Sequence, residues 1–202
     1  MPGLLLGQVF PDFEAETTTG TIRFHEFLGD SWGILFSHPR DYTPVCTTEL
    51  GRAARLGGEF SKRQVKMIAL SIDGVEEHRG WTKDILAYNC DESESCELPF
   101  PIIADSRREL AVFIIGPDKR LKLSLLYPAT TGRNFDEILR AVDSLQLTAS
   151  KRVATPADWK PGDCVMVPPS MSEEEASAMF PEGIYTKDLP SGRKYLRYTP
   201  QQ

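Results

Sequence analysis

The sequence predicts an α/β fold, and three observations carry the prediction. Two compact apolar runs, WGILFSH (32–38) and VKMIALSID (65–73), read as buried strands. Each is followed by a segment whose apolar residues recur at helical spacing. A pair of apolar stretches around Gly116-Pro117-Asp118-Lys119 then reads as a β-hairpin, and a third amphipathic helix follows it. Strand and helix alternate in this way to about residue 148, the pattern of a sheet covered by helices.

Taken in order, residues 1–20 look extended and loop-like, with Pro11 and a threonine run before Gly20. TIRFHEFLG reads as a short strand turning into one helical turn. After the first buried strand comes a loop, PRDYTPV, stiffened by Pro39 and Pro44. CTTELGRAARLGGEFSKRQ is expected to be one helix, with Leu50, Ala53, Ala54 and Leu56 on its apolar side. GVEEHRGWTKDILAYN is a second, with Trp81, Ile85 and Tyr88 together, and LPFPIIAD is a short extended piece. GRNFDEILRAVDSLQLT is a third helix, apolar at Phe135, Ile138, Leu139, Val142 and Leu145. Beyond residue 148 prolines multiply, and a short acidic helix, SEEEASAMF, precedes a strand, YLRYT. The expected division is therefore 1–148 and 149–202.

The 202 residues are 41% hydrophobic and 26% charged, enough for a packed core rather than disorder. A net charge of -6 argues against a basic nucleic-acid footprint. No apolar run approaches the ~20 residues that span a bilayer. Leu4 to Leu6 lack the basic flank and cleavage site of a secretory signal. The cysteines, at 46, 90, 96 and 164, match no zinc spacing, so no metal is expected and free thiols are the reading.

Cys46 stands apart from the other three. It follows a buried strand and opens an amphipathic helix, where unpaired backbone N–H groups favour a thiolate. The thiolate is the reactive form. Thr43 can offer a hydroxyl to the sulfur or to a bound oxygen, Pro39 and Pro44 can shield it, and His38 and Arg40 are nearby donors. Free cysteine is more often a buried core residue, but the string Pro39-x-x-x-Thr43-x-x-Cys46 resembles the peroxiredoxin active-site motif. The resemblance extends through GDSWGILFSHPRDYTPVCTTELGRAARL, IALSIDGVEEH, LPFPIIAD, GPDKRLKLSLLYPATTGRNFDEILR and KRVATPADWKPGD, nearly the whole chain. On those segments the sequence is similar to the one-cysteine, type-six peroxiredoxins.

That resemblance implies a thioredoxin-like fold, with 149–202 as a C-terminal arm used in dimerisation. It implies reduction of hydrogen peroxide and of organic and phospholipid hydroperoxides, with Cys46 passing through a sulfenic acid. No bound cofactor is implied. The implied reductant is glutathione, delivered by a glutathione transferase. The implied location is cytoplasmic, with a pool in lysosomes or other acidic organelles and with peripheral membrane contact. Cys164, in GDCVMVP, lacks the Val-Cys-Pro setting of a resolving cysteine, and Cys90 and Cys96 read as exposed bystanders.

GDSWG (29–33) fits the G-x-S-x-G pattern, although Ser31 precedes a strand instead of following one. A turn serine is the plain reading. The resemblance associates this segment with phospholipase A2 activity, on Ser31, His25 and Asp118 as serine, base and acid. His25 and Asp30 match the H-x-x-x-x-D spacing of an associated acyltransferase motif.

The sequence departs from the family at one place. The family usually carries roughly twenty more residues between Leu110 and Gly116, with a strand whose arginine pairs with the cysteine; here only Ala111 to Ile115 remain, spanning at most ~17 Å. Either the helix of 106–111 unwinds or the hairpin loses part of its first strand, exposing an apolar edge. Arg133 is the remaining candidate cation for the sulfur. An alternative function follows from this loss: a catalytically impaired chain acting as an interaction or dominant-negative subunit.

Overall fold

The computed structural model describes residues 4–89, 97–104 and 111–201. Cys90, Cys96 and all but Ala111 of the helix expected over 106–111 lie outside the described residues. The chain forms two compact units, Met1–Phe135 and Asp136–Gln202. This boundary puts nearly all of the third predicted helix in the second unit, where the sequence had suggested a division at 148.

The first unit contains β1 (Glu14–Thr17), β2 (Gly20–Arg23), α1 (Phe24–Leu28), β3 (Trp32–Ser37), α2 (Pro44–Arg55), α3 (Gly57–Lys62), β4 (Val65–Ser71), α4 (Val75–Asn89), β5 (Ile102–Ala104), β6 (Val112–Ile115) and β7 (Leu121–Leu125). Its seven strands form one sheet in the order β2-β1-β5-β4-β3-β6-β7. The three inner strands β5, β4 and β3 are parallel, and the outer ones are antiparallel. β3 is buried at five of its six positions, which explains its unbroken apolar run. Below the sheet, Phe10, Phe24, Leu28, Leu35, Ile68, Ile103, Ile115 and Leu121 make one core cluster. Phe24 stacks on Phe13 at 4.9 Å and tilts against Phe10 at 5.3 Å.

Three expectations need correcting. Residues 14–17 are a strand, not a loop: β1 pairs with β2 around a turn in which the Thr17 hydroxyl donates to Gly20 O at 2.7 Å. The inward residues of β1 are only Ala15 and Thr17, too small to give an apolar signature. The helix expected over 46–64 starts earlier, at Pro44, and breaks at Leu56 into α2 and α3. Gly57, at the break, lies where an added Cβ would meet Pro99 Cγ at 2.8 Å. On α4, Trp81 and Ile85 are fully buried, whereas Tyr88 is 60% exposed and does not share their face.

The hairpin survives the shortening. All four residues of β6 pair with β3, from Gly33↔Ile115 to Phe36↔Val112, and β6 pairs with β7 on its other side. The anticipated loss of a strand edge at β6 therefore does not occur.

In the second unit α5 (Phe135–Ser150) leads to β8 (Val165–Met166), α6 (Glu173–Met179), β9 (Tyr185–Thr186) and β10 (Arg197–Thr199). These strands form a small sheet in the order β8-β10-β9. Trp159, Val165, Val167, Met171, Ala176 and Phe180 fill its core. The short acidic helix expected here is α6, and Ser172 and Glu175 form a reciprocal capping box at its start. The buried Arg197 donates to the carbonyls of Pro168 and Met171, both at 2.7 Å. Among the described residues no helix is long and apolar enough to cross a membrane.

Candidate active site at Cys46

The Cys46 site is built where β3 ends and α2 begins. Pro44 occupies the first turn of α2, where its missing N–H costs nothing and its fixed φ suits the helix. Cys46 therefore sits in that first turn, close to unpaired backbone donors. Thr43 is the N-cap residue, yet its side chain makes no cap hydrogen bond. Its hydroxyl donates instead to Arg40 O at 3.1 Å, on the loop that leads to Cys46.

Cys46 is 4% exposed and lines a small cleft with Ser37, Pro39, Glu49, Ala111, Tyr127 and Arg133. The cleft offers about 20 Å³, room for little more than one water-sized molecule. It suits the O–O end of a peroxide and excludes a bulky group from the sulfur itself.

Arg133 is the cation of this site, and it is firmly held. Its backbone N–H and Nε donate to Glu49 Oε1 at 2.7 and 2.9 Å, and its Nη2 is paired with Glu49 Oε2. Nη1 reaches Ser37 O at 3.2 Å, and the guanidinium lies 5.9 Å from the Phe36 ring centre. The two side chains are 6% and 7% exposed, so this is a buried ion pair. Sequence reasoning missed Glu49. The available signal was an acid three residues after Cys46 on the same helix face.

The electrostatic balance at the sulfur follows from these neighbours. Burial pushes the Cys46 thiol up, and the Glu49 carboxylate adds to that. The Thr43 hydroxyl, the Arg133 charge and the Cys46 backbone N–H pull it down, but the net direction is upward. Glu49 offsets much of what Arg133 would otherwise contribute.

His38, named as a donor to the sulfur, turns elsewhere. Its N–H donates to Leu70 O at 2.9 Å, prolonging the β3–β4 pairing and carrying its ring against Trp81 of α4, 4.9 Å away. Its Nε2 meets Asp41 Oδ1 at 3.1 Å, and Asp41 Oδ2 meets His78 Nδ1 at 2.5 Å. Arg40 is exposed, with Nε 3.9 Å from Asp73. Tyr42, beside Asp41, has φ +53; its ring leans on Trp81 and its hydroxyl donates to Glu77 O at 3.4 Å.

The serine motif is only partly assembled. Ser31 and Asp30 line an open groove with Ser61, Gln64, Val65 and Lys66. Lys119 Nζ donates to Gly29 O, tying the turn that bears Asp118 to the loop that bears Ser31. His25, however, bonds to Phe10 O through Nε2 at 2.7 Å and to Asp12 Oδ1 through its backbone N–H. Asp118 accepts from Lys122 Nζ at 2.6 Å and from the Arg120 N–H. The hydrogen bonds of His25 and Asp118 thus run to other partners than Ser31. Cys164 is a free, exposed thiol.

Residues 6–121 match the AhpC/TSA family, and residues 144–183 match the C-terminal domain of 1-Cys peroxiredoxin. Peroxiredoxin-6 of Gallus gallus is 68% identical over 223 residues, covering 100% of this chain and 99% of the relative. Peroxiredoxin-6 of Homo sapiens is 67% identical over 224 residues, covering 100% of both chains. That aligned length exceeds the 202 residues here, so the human relative carries positions with no counterpart in this chain. Among solved structures, a mutant of peroxiredoxin 6 from Arenicola marina superposes with a TM-score of 0.94 at 55% identity, covering 99% of each chain. The yeast mitochondrial 1-Cys peroxiredoxin superposes with a TM-score of 0.89 at 40% identity, covering 98% of this chain and 100% of that one.

Fold, site and relatives together define a thiol peroxidase with a thioredoxin-like core. The chain belongs to the AhpC/TSA family and, within it, to the 1-Cys peroxiredoxins of the peroxiredoxin-6 type.

Proposed function

We propose that this chain reduces hydrogen peroxide and organic hydroperoxides, phospholipid hydroperoxides among them, with Cys46 as its single reacting thiol and glutathione as reductant. The observation that carries the reading is the enclosed Cys46 sulfur, in the first turn of α2 and lining a small cleft with Pro39 and Arg133. The thiolate attacks one peroxide oxygen, the O–O bond breaks, and the second oxygen leaves with a proton as water or alcohol, giving a sulfenic acid at Cys46. One glutathione condenses with the sulfenic acid, releasing water. A second attacks the mixed disulfide, restoring the thiol and releasing glutathione disulfide. The yeast relative bears on this step, since its thiol-resolving mechanism is described through glutathione and thioredoxin systems. A homodimer, a glutathione transferase as deliverer and a cytoplasmic location belong to the same proposal.

Stopped-flow oxidation of the reduced chain by hydrogen peroxide, with intact-mass detection of the sulfenic acid, tests it. Oxidation orders of magnitude faster than that of a free thiol supports the reading. Oxidation at free-thiol rates, lost equally in Cys46→Ser and Cys164→Ser, overturns it.

One observation favours a second reading. The thiol is pushed up, and Arg133 is already paired with Glu49. A slow Cys46 in a folded chain that co-assembles with a full-length relative would identify an impaired, partner-modifying subunit. Phospholipase action at Ser31, with His25 and Asp118, and acyl transfer at His25 and Asp30 are further proposals. What supports them is the open groove carrying Lys66 and the Lys119 tether. Fatty-acid release from phosphatidylcholine vesicles that persists in Ser31→Ala would dismiss them.

A further inference from the structure

The loop between β3 and α2 carries both Pro39 and Thr43, and its buried anchor is Asp41. This carboxylate is 3% exposed. It lies between two imidazoles with no side-chain exposure, His38 from the end of β3 and His78 from α4. The Asp41 backbone N–H donates to Asp73 Oδ2 at 2.7 Å, just beyond β4. One residue thus ties the loop to three elements.

The two imidazoles are satisfied on one side only. His38 Nε2 and His78 Nδ1 face the carboxylate, while His38 Nδ1 and His78 Nε2 are buried with no hydrogen-bond partner. On a neutral His38 donating through Nε2, Nδ1 is a bare lone pair. A proton added there becomes a buried N–H donor with nothing to receive it, which is costly. If the loop opens, water can take that hydrogen bond, and the proton is accepted readily.

We propose that Asp41, held between His38 and His78, is a positioning residue for the Cys46 site, and that the three form an acid-released latch on the loop carrying Pro39 and Thr43. The charged and titratable groups around the latch come from every neighbouring element. They are Arg40 in the loop, Asp73 after β4, His78 on α4, Glu49 on α2, and Arg133. Burial lowers the His38 pKa most, Arg133 and His78 add to that, and Asp41 opposes it without winning. The closed loop therefore holds fewer protons than the open one. Its stability is complete above the ordinary histidine pKa of 6.5 and falls as pH drops below it, by up to about tenfold in population per pH unit.

Opening withdraws Pro39, which lines the Cys46 cleft, and widens access to the sulfur. Acid would thus slow attack on peroxide while admitting a larger thiol to the sulfenic acid. That consequence rests on the peroxidase reading; the latch itself does not.

The test uses the reduced full chain and needs no turnover. The chain has three histidines, so carbon-edited NMR follows His38 separately from His25 and His78. In parallel, 4,4′-dithiodipyridine labelling is mapped by peptide mass, and the Cys46 rate is divided by that of the exposed Cys164 in the same molecule. The expected ratio climbs at least tenfold from pH 7 to pH 5, in step with His38 protonation. In Asp41→Asn it is already high at pH 7 and nearly flat. A ratio that stays constant while His38 protonates overturns the latch, and so does one that climbs with His38 still neutral. If Asp41→Asn does not fold, His38→Asn serves: loss of the pH step supports the proposal, and its persistence overturns it. A chain inert to peroxide still gives this readout, so failure of the latch and failure of the peroxidase reading are separable.

Discussion

Removing Arg133 exposes how the Cys46 site is held. In Arg133→Met the Glu49 carboxylate stays buried, 7% exposed, and loses both guanidinium donors, Nε and Nη2, keeping only the backbone N–H of residue 133. Breaking a buried ion pair from one side typically costs about 3–5 kcal/mol, because the remaining charge has no compensation. The bond to Ser37 O and the contact with the Phe36 ring vanish as well. Neutralising both partners removes the orphaned charge, so Arg133→Met combined with Glu49→Gln should lose only about 1–2 kcal/mol. Urea unfolding of the two single variants, the double variant and the parent gives the coupling directly. In the same set, thiolate absorbance near 240 nm should show the Cys46 pKa higher in Arg133→Met and lower in Glu49→Gln, since each removes one of the opposing charges. A double variant destabilised by the sum of its singles, or a thiol that ignores both changes, would refute the reasoning.

Other outcomes follow from single contacts. Asp41 has its carboxyl raised by burial but carried down to about 2 by hydrogen bonds from His38, His78 and Ser71. Its stabilisation, about 2 kcal/mol, is present above the unfolded value of 3.8 and lost as pH falls toward 2; Asp41→Asn should flatten that limb of the urea stability profile. Thr43→Val deletes a hydroxyl that pulls the Cys46 thiol down, so the Cys46 pKa rises and oxidation by peroxide at pH 7 slows by about tenfold in stopped flow. Gly33→Ala places a methyl group against Leu28, itself fully buried, and should cost about 1–3 kcal/mol in urea unfolding without changing the thiol's titration.

How far the sequence disclosed this molecule depended on how local each signal was. β3 and β4 were legible because residues 32–36 and 67–70 are contiguous apolar runs, buried at most of their positions. α6 was legible because the acidic residues of its first turn are contiguous in the chain. β1 was hidden because its inward positions hold only alanine and threonine, and the break after Arg55 because it depends on Pro99 approaching Gly57. At the site, Cys46, Thr43 and Pro39 share one motif and were found together. Arg133 was reached as the cation that remains once the family's usual arginine has no counterpart. Its partner Glu49 was missed because the contact joins residues 84 positions apart. Histidine 38 was assigned to the sulfur by proximity in sequence, but the alternation of an extended strand end sends its ring toward Asp41 and α4. His78, 37 positions beyond Asp41, carries no local mark of its role.

Tyr42 gives the loop a mechanical character. With φ +53 it occupies the left-handed region, where a side chain on Cβ meets steric resistance worth about 1–2 kcal/mol. The posture persists because the phenol is seated against Trp81 and passes Gly80, where an added Cβ would lie 2.5 Å from its oxygen. The closed loop is therefore a cocked spring rather than a slack tether. Once its anchors let go, the backbone gains by moving, so recoil adds to whatever the solvent supplies.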